Sequence, residues 1–353
     1  MIRFGLLGCG KIAERHAKLL AGNHIQGAKL QAVCDPNRER AQQFATAYGA
    51  RACGTITELM SPGDVDAVAV LTPSGLHAEN ILQLSAYRCP IVVEKPMALT
   101  LDDADRIIEV CDRHRIKLFV VKQNRFNVPV QRLRQALDGG RLGKLVLGTV
   151  RVRWCRRQDY YDQASWRGTW AFDGGVLANQ ASHHVDLLEW MMGPVDSVFG
   201  IATTALARIE AEDTAAVTLR FRNGAIGIIE ATTAARPKDI EGSLSVLGES
   251  GAVEIGGFAV DKLKVWQFAP ESMSDRDAFT EAGSNPPHPV GYAHARYYEH
   301  VIDCIENNRQ QLVDGLAGRR SLELISAIYE SVETAREVSL RFKPHQCKLG
   351  ITK

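Results

Sequence analysis

The tightest constraint on this chain lies near its N-terminus. An apolar run, Ile2–Leu7, leads into Gly8-Cys9-Gly10-Lys11-Ile12-Ala13, and residues 11–20 continue with Ile12, His16, Leu19 and Leu20 on one helical face. Small residues at positions 8, 10 and 13 have separate uses. Gly8 permits a tight turn, Gly10 lets a pyrophosphate approach the backbone, and Ala13 lets the helix pack on its strand. The helix N-terminus supplies unpaired amides and a partial positive charge for phosphate. Asp35 follows Ala13 by 22 residues, at the end of a second strand-like run at 30–34, where a carboxylate can bond both ribose hydroxyls. Strand, glycines, helix, strand and acid in this order predict a dinucleotide site. Asp35 favours NAD over NADP, because a carboxylate repels a 2′-phosphate. Arg38 is the counter-indication, and it reads as a solvated residue in the first turn of the next helix.

The alternation continues. Helical patterns at 37–48, 74–87 and 101–114 separate apolar runs at 67–71, 91–93 and 118–121. The run at 67–71 suits a strand buried on both faces. This grammar predicts an α/β domain with a doubly wound parallel sheet over residues 1–125. From residue 126 the pattern changes. A long strand at 145–153 and an apolar helical stripe at 176–192 precede strand-like segments at 195–204, 214–221, 225–233, 242–247, 253–255 and 263–267. Residues 273–289 read as a surface loop, and helices at 292–307 and 318–338 close the chain. The second domain, 126–353, is expected to be α+β with a mostly antiparallel open sheet, the last helices being able to pack back on the first domain.

Composition narrows the function classes. Lysine plus arginine is 42 and aspartate plus glutamate is 41, a formal charge of +1, so no basic footprint for nucleic acid is present. No apolar stretch approaches the length of a membrane span. The eight cysteines lack any CxxC spacing, the closest two in sequence being 19 residues apart, so a disulfide or zinc framework is not expected. Cys34, Cys89 and Cys111 read as buried thiols. With no signal-peptide pattern at the N-terminus, the expected location is cytoplasmic.

Two further sites carry chemistry. Glu94-Lys95-Pro96 follows the strand at 91–93, and ligands of open α/β sheets bind outside the carboxyl ends of strands. Lys95 there can stabilise a developing alkoxide; the alternative is a surface lysine before a turn proline. In Gly174-Gly175…Asn179-Gln180-Ala181-Ser182-His183-His184-Val185-Asp186, Asn179 and His183 are four apart and share a face if the segment is one helix. His183 and Asp186 are three apart, again neighbours. Histidine suits taking a hydroxyl proton near neutral pH. His184 reads as a core residue. Adjacent histidines diverge on a helix and no third ligand is in view, so no metal is expected.

The turn at 8–13, Asp35, Thr72-Pro73-Ser74-Gly75-Leu76-His77, Glu94-Lys95-Pro96 and Gly175…His183…Asp186 resemble, in that order, the Gfo/Idh/MocA oxidoreductase family. The resemblance covers nearly the whole chain. It implies NAD-dependent oxidation of a sugar or cyclitol hydroxyl, with Lys95 and His183 catalytic and Asn179 beside them. It also implies that Gly8, Gly10, Lys11, Ile12, Asp35, Thr72, Pro73, His77, Glu94, Lys95, Gln123, Trp166 and Arg167 contact the cofactor. Many members carry aspartate where this chain has Asn179. An amide holds a partner by hydrogen bonds but cannot be a carboxylate base, so the proton-accepting role concentrates on His183.

A narrower resemblance rests on Lys122-Gln123-Asn124-Arg125-Phe126-Asn127, the arginine-rich run at 151–157, Tyr160-Tyr161, Ser165-Trp166-Arg167-Gly168-Thr169-Trp170 and Asn179-Gln180-Ala181-Ser182-His183-His184. These are similar to the UDP-2-acetamido-2-deoxy-glucuronate 3-dehydrogenases of bacterial surface-polysaccharide (lipopolysaccharide) synthesis. Arginine forks suit carboxylate and pyrophosphate, and aromatic faces suit a base or sugar ring. The alternative is a solvated arginine face over core tryptophans. On the first reading Lys95, Asn124, Arg153, Tyr160, Arg167, Asn179 and His183 touch a UDP-sugar. The resemblance further implies regeneration of NAD by 2-oxoglutarate and a tetramer formed through the open sheet. Rival functions are an inositol or free-sugar dehydrogenase, an NAD-dependent glycosidase and a non-catalytic sugar sensor.

Overall fold

In the computed structural model, residues 1–22, 24–271, 275, 277–340 and 347–350 are described. The chain divides into two compact units, Met1–Val121 with His288–Arg319, and Lys122–Pro287 with Arg320–Lys353.

The first unit runs β1 (Ile2–Leu7), α1 (Lys11–Ala21), β2 (Ala28–Cys34), α2 (Arg38–Tyr48), β3 (Arg51–Cys53), α3 (Ile56–Met60), β4 (Ala67–Val70), α4 (His77–Leu84), β5 (Ile91–Val93), α5 (Leu101–His114) and β6 (Leu118–Val120). The six strands are parallel in the order β3-β2-β1-β4-β5-β6. Strand order reverses between β1 and β4, the switch point at which open α/β sheets bind ligands. Every residue of β4 is buried, as a strand covered on both faces requires. Short polar caps set the helix starts: Asn37 accepts from the Arg40 amide at α2, and Thr100 accepts from the Asp103 amide at α5. Sequence patterning passed over β3 and α3, both too short to show a period.

The second unit contains α6 (Val128–Asp138), β7 (Leu145–Arg153), α7 (Gln158–Tyr161), α8 (Ser182–Met192), β8 (Val195–Thr203), β9 (Thr214–Phe221), β10 (Ile226–Thr232), β11 (Glu241–Gly248), β12 (Gly251–Gly256), β13 (Lys262–Phe268) and α9 (Ala278–Ala282). Helix α10 (Tyr292–Glu306) belongs to the first unit, and α11 (Gly315–Thr334) leads back to the second, which ends in β14 (Val338–Ser339). The sheet order is β13-β12-β11-β7-β10-β9-β8-β14, antiparallel except for the β7–β10 pair.

One face of this sheet is covered by helices. At Gly148 a Cβ would meet Met192 Cγ at 2.6 Å, so glycine lets α8 lie close on β7. The Gly200 amide donates to Ser331 Oγ of α11 at 3.0 Å. The opposite face, by alternation, presents Phe199, Ile201, Ile226, Ile228 and Leu247, all exposed.

Two expectations change here. Residues 176–192 are not one helix: Val176–Gln180 form a π-helical turn, and α8 starts only at Ser182. The stretch expected as a surface loop includes α9, and Asp275 within it is buried, accepting from Arg141 and the Trp266 indole. Residues 273, 274 and 276 of that stretch lie outside the described residues.

Candidate active site

At the end of β1, Gly8 has φ +103°, and a Cβ there would meet the Leu71 carbonyl oxygen at 2.9 Å. A Cβ on Gly10 would meet nothing within 4 Å, so the turn opens onto free space where a bulkier residue would intrude. No side chain caps the start of α1, whose amides are left for an anionic ligand. Asp35 is 5% exposed, its Oδ2 accepting the Cys9 amide at 3.0 Å and its Oδ1 the Asn37 amide at 2.9 Å. This plants a negative charge beside the turn. Arg38 points its guanidinium at Glu58, 2.6 Å away, and Glu58 is itself held by the Gly54 amide. These residues fit NAD: a glycine cradle, an uncapped helix end and a fixed acid. Thr72, after β4, gives its hydroxyl to Asn80, and Lys11 is exposed at the head of α1.

The loop after β5 is strapped from two directions. Glu94 Oε1 lies 3.1 Å from His16 Nε2, Glu94 Oε2 accepts the Lys95 amide at 3.0 Å, and His16 Nδ1 is 2.6 Å from the Tyr298 hydroxyl. Burial works to raise the Glu94 pKa, but the His16 hydrogen bond and the charges of His16 and Lys95 bring it down to about 2. On the other side, His77 Nδ1 lies 2.9 Å from the Pro96 carbonyl and Nε2 lies 2.9 Å from the Thr72 carbonyl. Burial lowers the His77 pKa, and a neutral ring donates to one carbonyl at a time. His77 and Glu94, expected at the cofactor, are thus bonded within the frame that carries Lys95.

The second constellation begins at Gly174-Gly175. The π-helical turn closes with the Ala181 amide donating to the Val176 carbonyl at 2.7 Å, and His183 follows in the first turn of α8. The Gln123 amide nitrogen lies 3.1 Å from His183 Nε2. With that amide donating, Nε2 is an acceptor and the imidazole proton sits on Nδ1. Asp186, expected beside His183, is committed elsewhere: Arg125 donates to both its oxygens at 2.8 Å, Ser321 at 2.7 Å, and Lys122 Nζ is 3.7 Å away. Burial pushes its pKa up, yet the Arg125 and Lys122 charges hold it at about 2. His184 is fully buried against Trp154, and burial lowers its pKa to about 3; its ring nitrogens have no hydrogen-bond partner among the described residues.

A polar chain runs outward from the turn. Asn179 Nδ2 donates to Asp173, the Gln180 amide donates to Asn179 Oδ1 at 3.0 Å and to the Tyr160 hydroxyl at 2.9 Å, and Arg167 donates to that hydroxyl at 2.7 Å. The Arg167 guanidinium lies over the Tyr160 and Trp166 rings, 4.4 and 4.7 Å from their centroids. Arg156 joins through Gln180 Oε1 at 3.1 Å. Tyr160, Trp166, Arg167 and Asn179 are therefore one cluster. Asn124 is buried in the short turn Gln123–Phe126.

Arg153 is placed differently. It alternates with the buried Val150 and Val152, so it leaves the sheet on the face away from α8, forking onto Glu230 at 2.6 Å and reaching Glu241 at 3.2 Å. Strand period, applied to β7, could have separated it from the cluster. Sequence reasoning also missed Asp173, Gln180 and Glu212; the Gly174-Gly175 doublet was the available sign that something packs closely there.

Among the described residues no group of three or more His, Cys, Asp or Glu could hold a metal ion, and no helix is long and apolar enough to cross a membrane. All eight cysteines are free.

Comparison with known proteins agrees with this geometry. Residues 2–122 match the family described as "Oxidoreductase family, NAD-binding Rossmann fold", and residues 130–254 match "GFO/IDH/MocA C-terminal domain". The chain is 27% identical to inositol 2-dehydrogenase of Rhizobium meliloti over 96% of its own length and 99% of that protein's. Among solved structures, it resembles the WlbA dehydrogenase of Bordetella pertussis, in complex with NADH and UDP-GlcNAcA, at 41% identity and a TM-score of 0.91, covering 96% of this chain and 98% of that one. The WlbA dehydrogenase of Chromobacterium violaceum, with the same two ligands, is similar at 40% identity and a TM-score of 0.90, with 96% of each chain covered.

Proposed function

The chain belongs to the Gfo/Idh/MocA oxidoreductase family, an NAD-dependent dehydrogenase of sugars, and from that premise we propose that its substrate is UDP-2-acetamido-2-deoxy-D-glucuronate, oxidised at the 3-hydroxyl. The observation that carries the substrate is the cluster of Arg156, Tyr160, Trp166 and Arg167 linked through Gln180 to Asn179. Its charge and flat faces match a uronate carboxylate, a pyrophosphate and a sugar or base ring. The two WlbA structures, which hold UDP-GlcNAcA, support the same reading.

NAD supplies the hydride acceptor. His183 takes the hydroxyl proton at Nε2, where the substrate hydroxyl replaces the Gln123 amide as the partner of the ring's one free lone pair. Lys95 stabilises the forming alkoxide, its loop fixed by Glu94 and His77. Asn179 orients the sugar by hydrogen bonds rather than as a base. Binding energy from the distant nucleotide holds the reacting carbon in place. In this scheme 2-oxoglutarate would take the hydride back from the bound nicotinamide and leave as 2-hydroxyglutarate, and the exposed apolar face of the second sheet would assemble a tetramer.

The test is steady-state turnover of UDP-2-acetamido-2-deoxy-D-glucuronate beside a panel of myo-inositol and free sugars. His183→Asn and Lys95→Met should each lower kcat by roughly 10²–10⁴-fold, with NADH binding retained in His183→Asn. Normal turnover by His183→Asn would remove the histidine from the mechanism. Efficient oxidation of inositol with indifference to the UDP-sugar would establish the second reading, which the Rhizobium meliloti relative favours.

A further inference from the structure

The turn bearing Asn179 is closed from below by a residue that no catalytic step uses. Glu212, between β8 and β9, is buried, and its backbone carbonyl accepts the Val176 amide at 2.9 Å. Its carboxyl Oε1 accepts the Leu177 amide at 2.9 Å and the Tyr329 hydroxyl at 2.9 Å. Val176 and Leu177 open the π-helical turn, so Glu212 satisfies amides that no earlier helical residues reach. The glycine pair makes this contact feasible. A Cβ on Gly175 would overlap the Glu212 carboxyl, and Gly174 turns the chain at φ +77°. Tyr329 in turn is buried edge-on to Trp170, ring centroids 5.3 Å apart, and its hydroxyl lies 3.4 Å from the Gly175 amide.

The consequence lies two to six residues downstream of Leu177. A π-helical turn inserts one residue into the helical phase, and the side chains whose direction that phase sets are Asn179 and, at the start of α8, His183. We propose that Glu212 is a positioning residue: with Tyr329 it clamps the first two amides of the turn and thereby fixes the register in which Asn179 and His183 meet the substrate hydroxyl. The inference rests on the reading of His183 as proton acceptor. Glu212 Oε2 has no hydrogen-bond partner among the described residues, and burial pushes the carboxyl up to about 7. The acid therefore acts here through its acceptor oxygen, a role that a glutamine carbonyl reproduces.

Kinetics with NAD and UDP-2-acetamido-2-deoxy-D-glucuronate, together with NADH titration by fluorescence, test this. Glu212→Leu should lower kcat at least about tenfold, with KM changing less and NADH affinity within about twofold of the parent, since misplacement penalises the reacting geometry most. Glu212→Gln should return kcat to within about threefold of the parent, because both accepted hydrogen bonds survive. Tyr329→Phe deletes only one hydroxyl and should lower kcat several-fold; it carries the test if the leucine variant does not fold. Parent-like kcat in folded Glu212→Leu or Tyr329→Phe overturns the proposal, as does a glutamine variant as impaired as the leucine. Retained turnover in His183→Asn would instead overturn the reading beneath it.

Discussion

The Lys95 loop and the turn before His183 present their side chains by opposite means. Lys95 sits at the end of β5, and its supports, His77, Glu94 and His16, lie on neighbouring strand ends and helices of one wound sheet. His183 is set by groups distant in sequence: Gln123 lies 60 positions away, and the turn ahead of it is capped by Glu212, 35 positions beyond Leu177. Regular topology delivers the lysine, since ligands of such a sheet bind outside the carboxyl ends of its strands. The histidine depends on individual side-chain bonds, so single substitutions in the second unit should disturb catalysis without disturbing the sheet.

The largest effect expected beyond Lys95 and His183 is at Arg125. Arg125→Met leaves the buried Asp186 carboxylate with only Ser321 and the more distant Lys122, and should destabilise the protein by about 3 kcal/mol in urea unfolding. An unchanged midpoint would mean that Lys122 alone compensates the charge.

Protonation separates the regions next. Glu94 has its pKa lowered to about 2 from an ordinary 4.5, so its contribution is complete above about 4.5 and is lost as pH falls toward 2. Glu212 has its pKa raised to about 7, so burying it opposes folding increasingly as pH rises from about 4.5 through 7. Glu94→Gln should flatten the acid side of the stability profile. Glu212→Gln should flatten the neutral side, making that variant the more stable protein at pH 8 relative to pH 5. Denaturant midpoints across pH 3–8 read both, and the same slope change in the two variants would contradict the assignment.

Smaller effects follow at the surface. Arg38→Ala breaks an exposed pair with Glu58 and should leave the urea midpoint nearly unchanged, with NAD still preferred over NADP because Asp35 is untouched. Arg153→Met should be smallest of all. It removes a part-exposed pair on the sheet face away from α8, so kcat/KM should stay within about twofold of the parent and stability within about 1 kcal/mol. A large loss of kcat/KM in Arg153→Met would return that arginine to the substrate.

What could be read in advance differs between the two regions for the same reason. The ends of β1 and β5, the α5 boundaries and the positions of Gly8, Asp35 and Lys95 follow from local patterns, because each strand and helix there buries a continuous apolar face. In the second unit the strands at 145–153 and 214–221 were equally plain. The helix at 128–138 was not: its polar residues and Pro129 dilute the period, and its identity comes from what it packs against. Spacing joined Asn179 to His183 on one helix; the structure inserts a π-helical turn between them, which no periodicity announces.

Sequence alone determined the wound sheet, the glycine cradle, the acid that suits NAD and the two side chains, Lys95 and His183, with chemistry to offer. Those depend on residue type and on the near-neighbour periods of strand and helix. Tertiary structure decided how the candidates are held. It gave Asp186 to Arg125 rather than to His183, sent Arg153 to the far face of the sheet, and joined Arg167, Tyr160, Gln180 and Asn179. A hydrogen bond between residues tens of positions apart leaves no trace in local pattern, and only the folded chain can choose among the partners that composition allows.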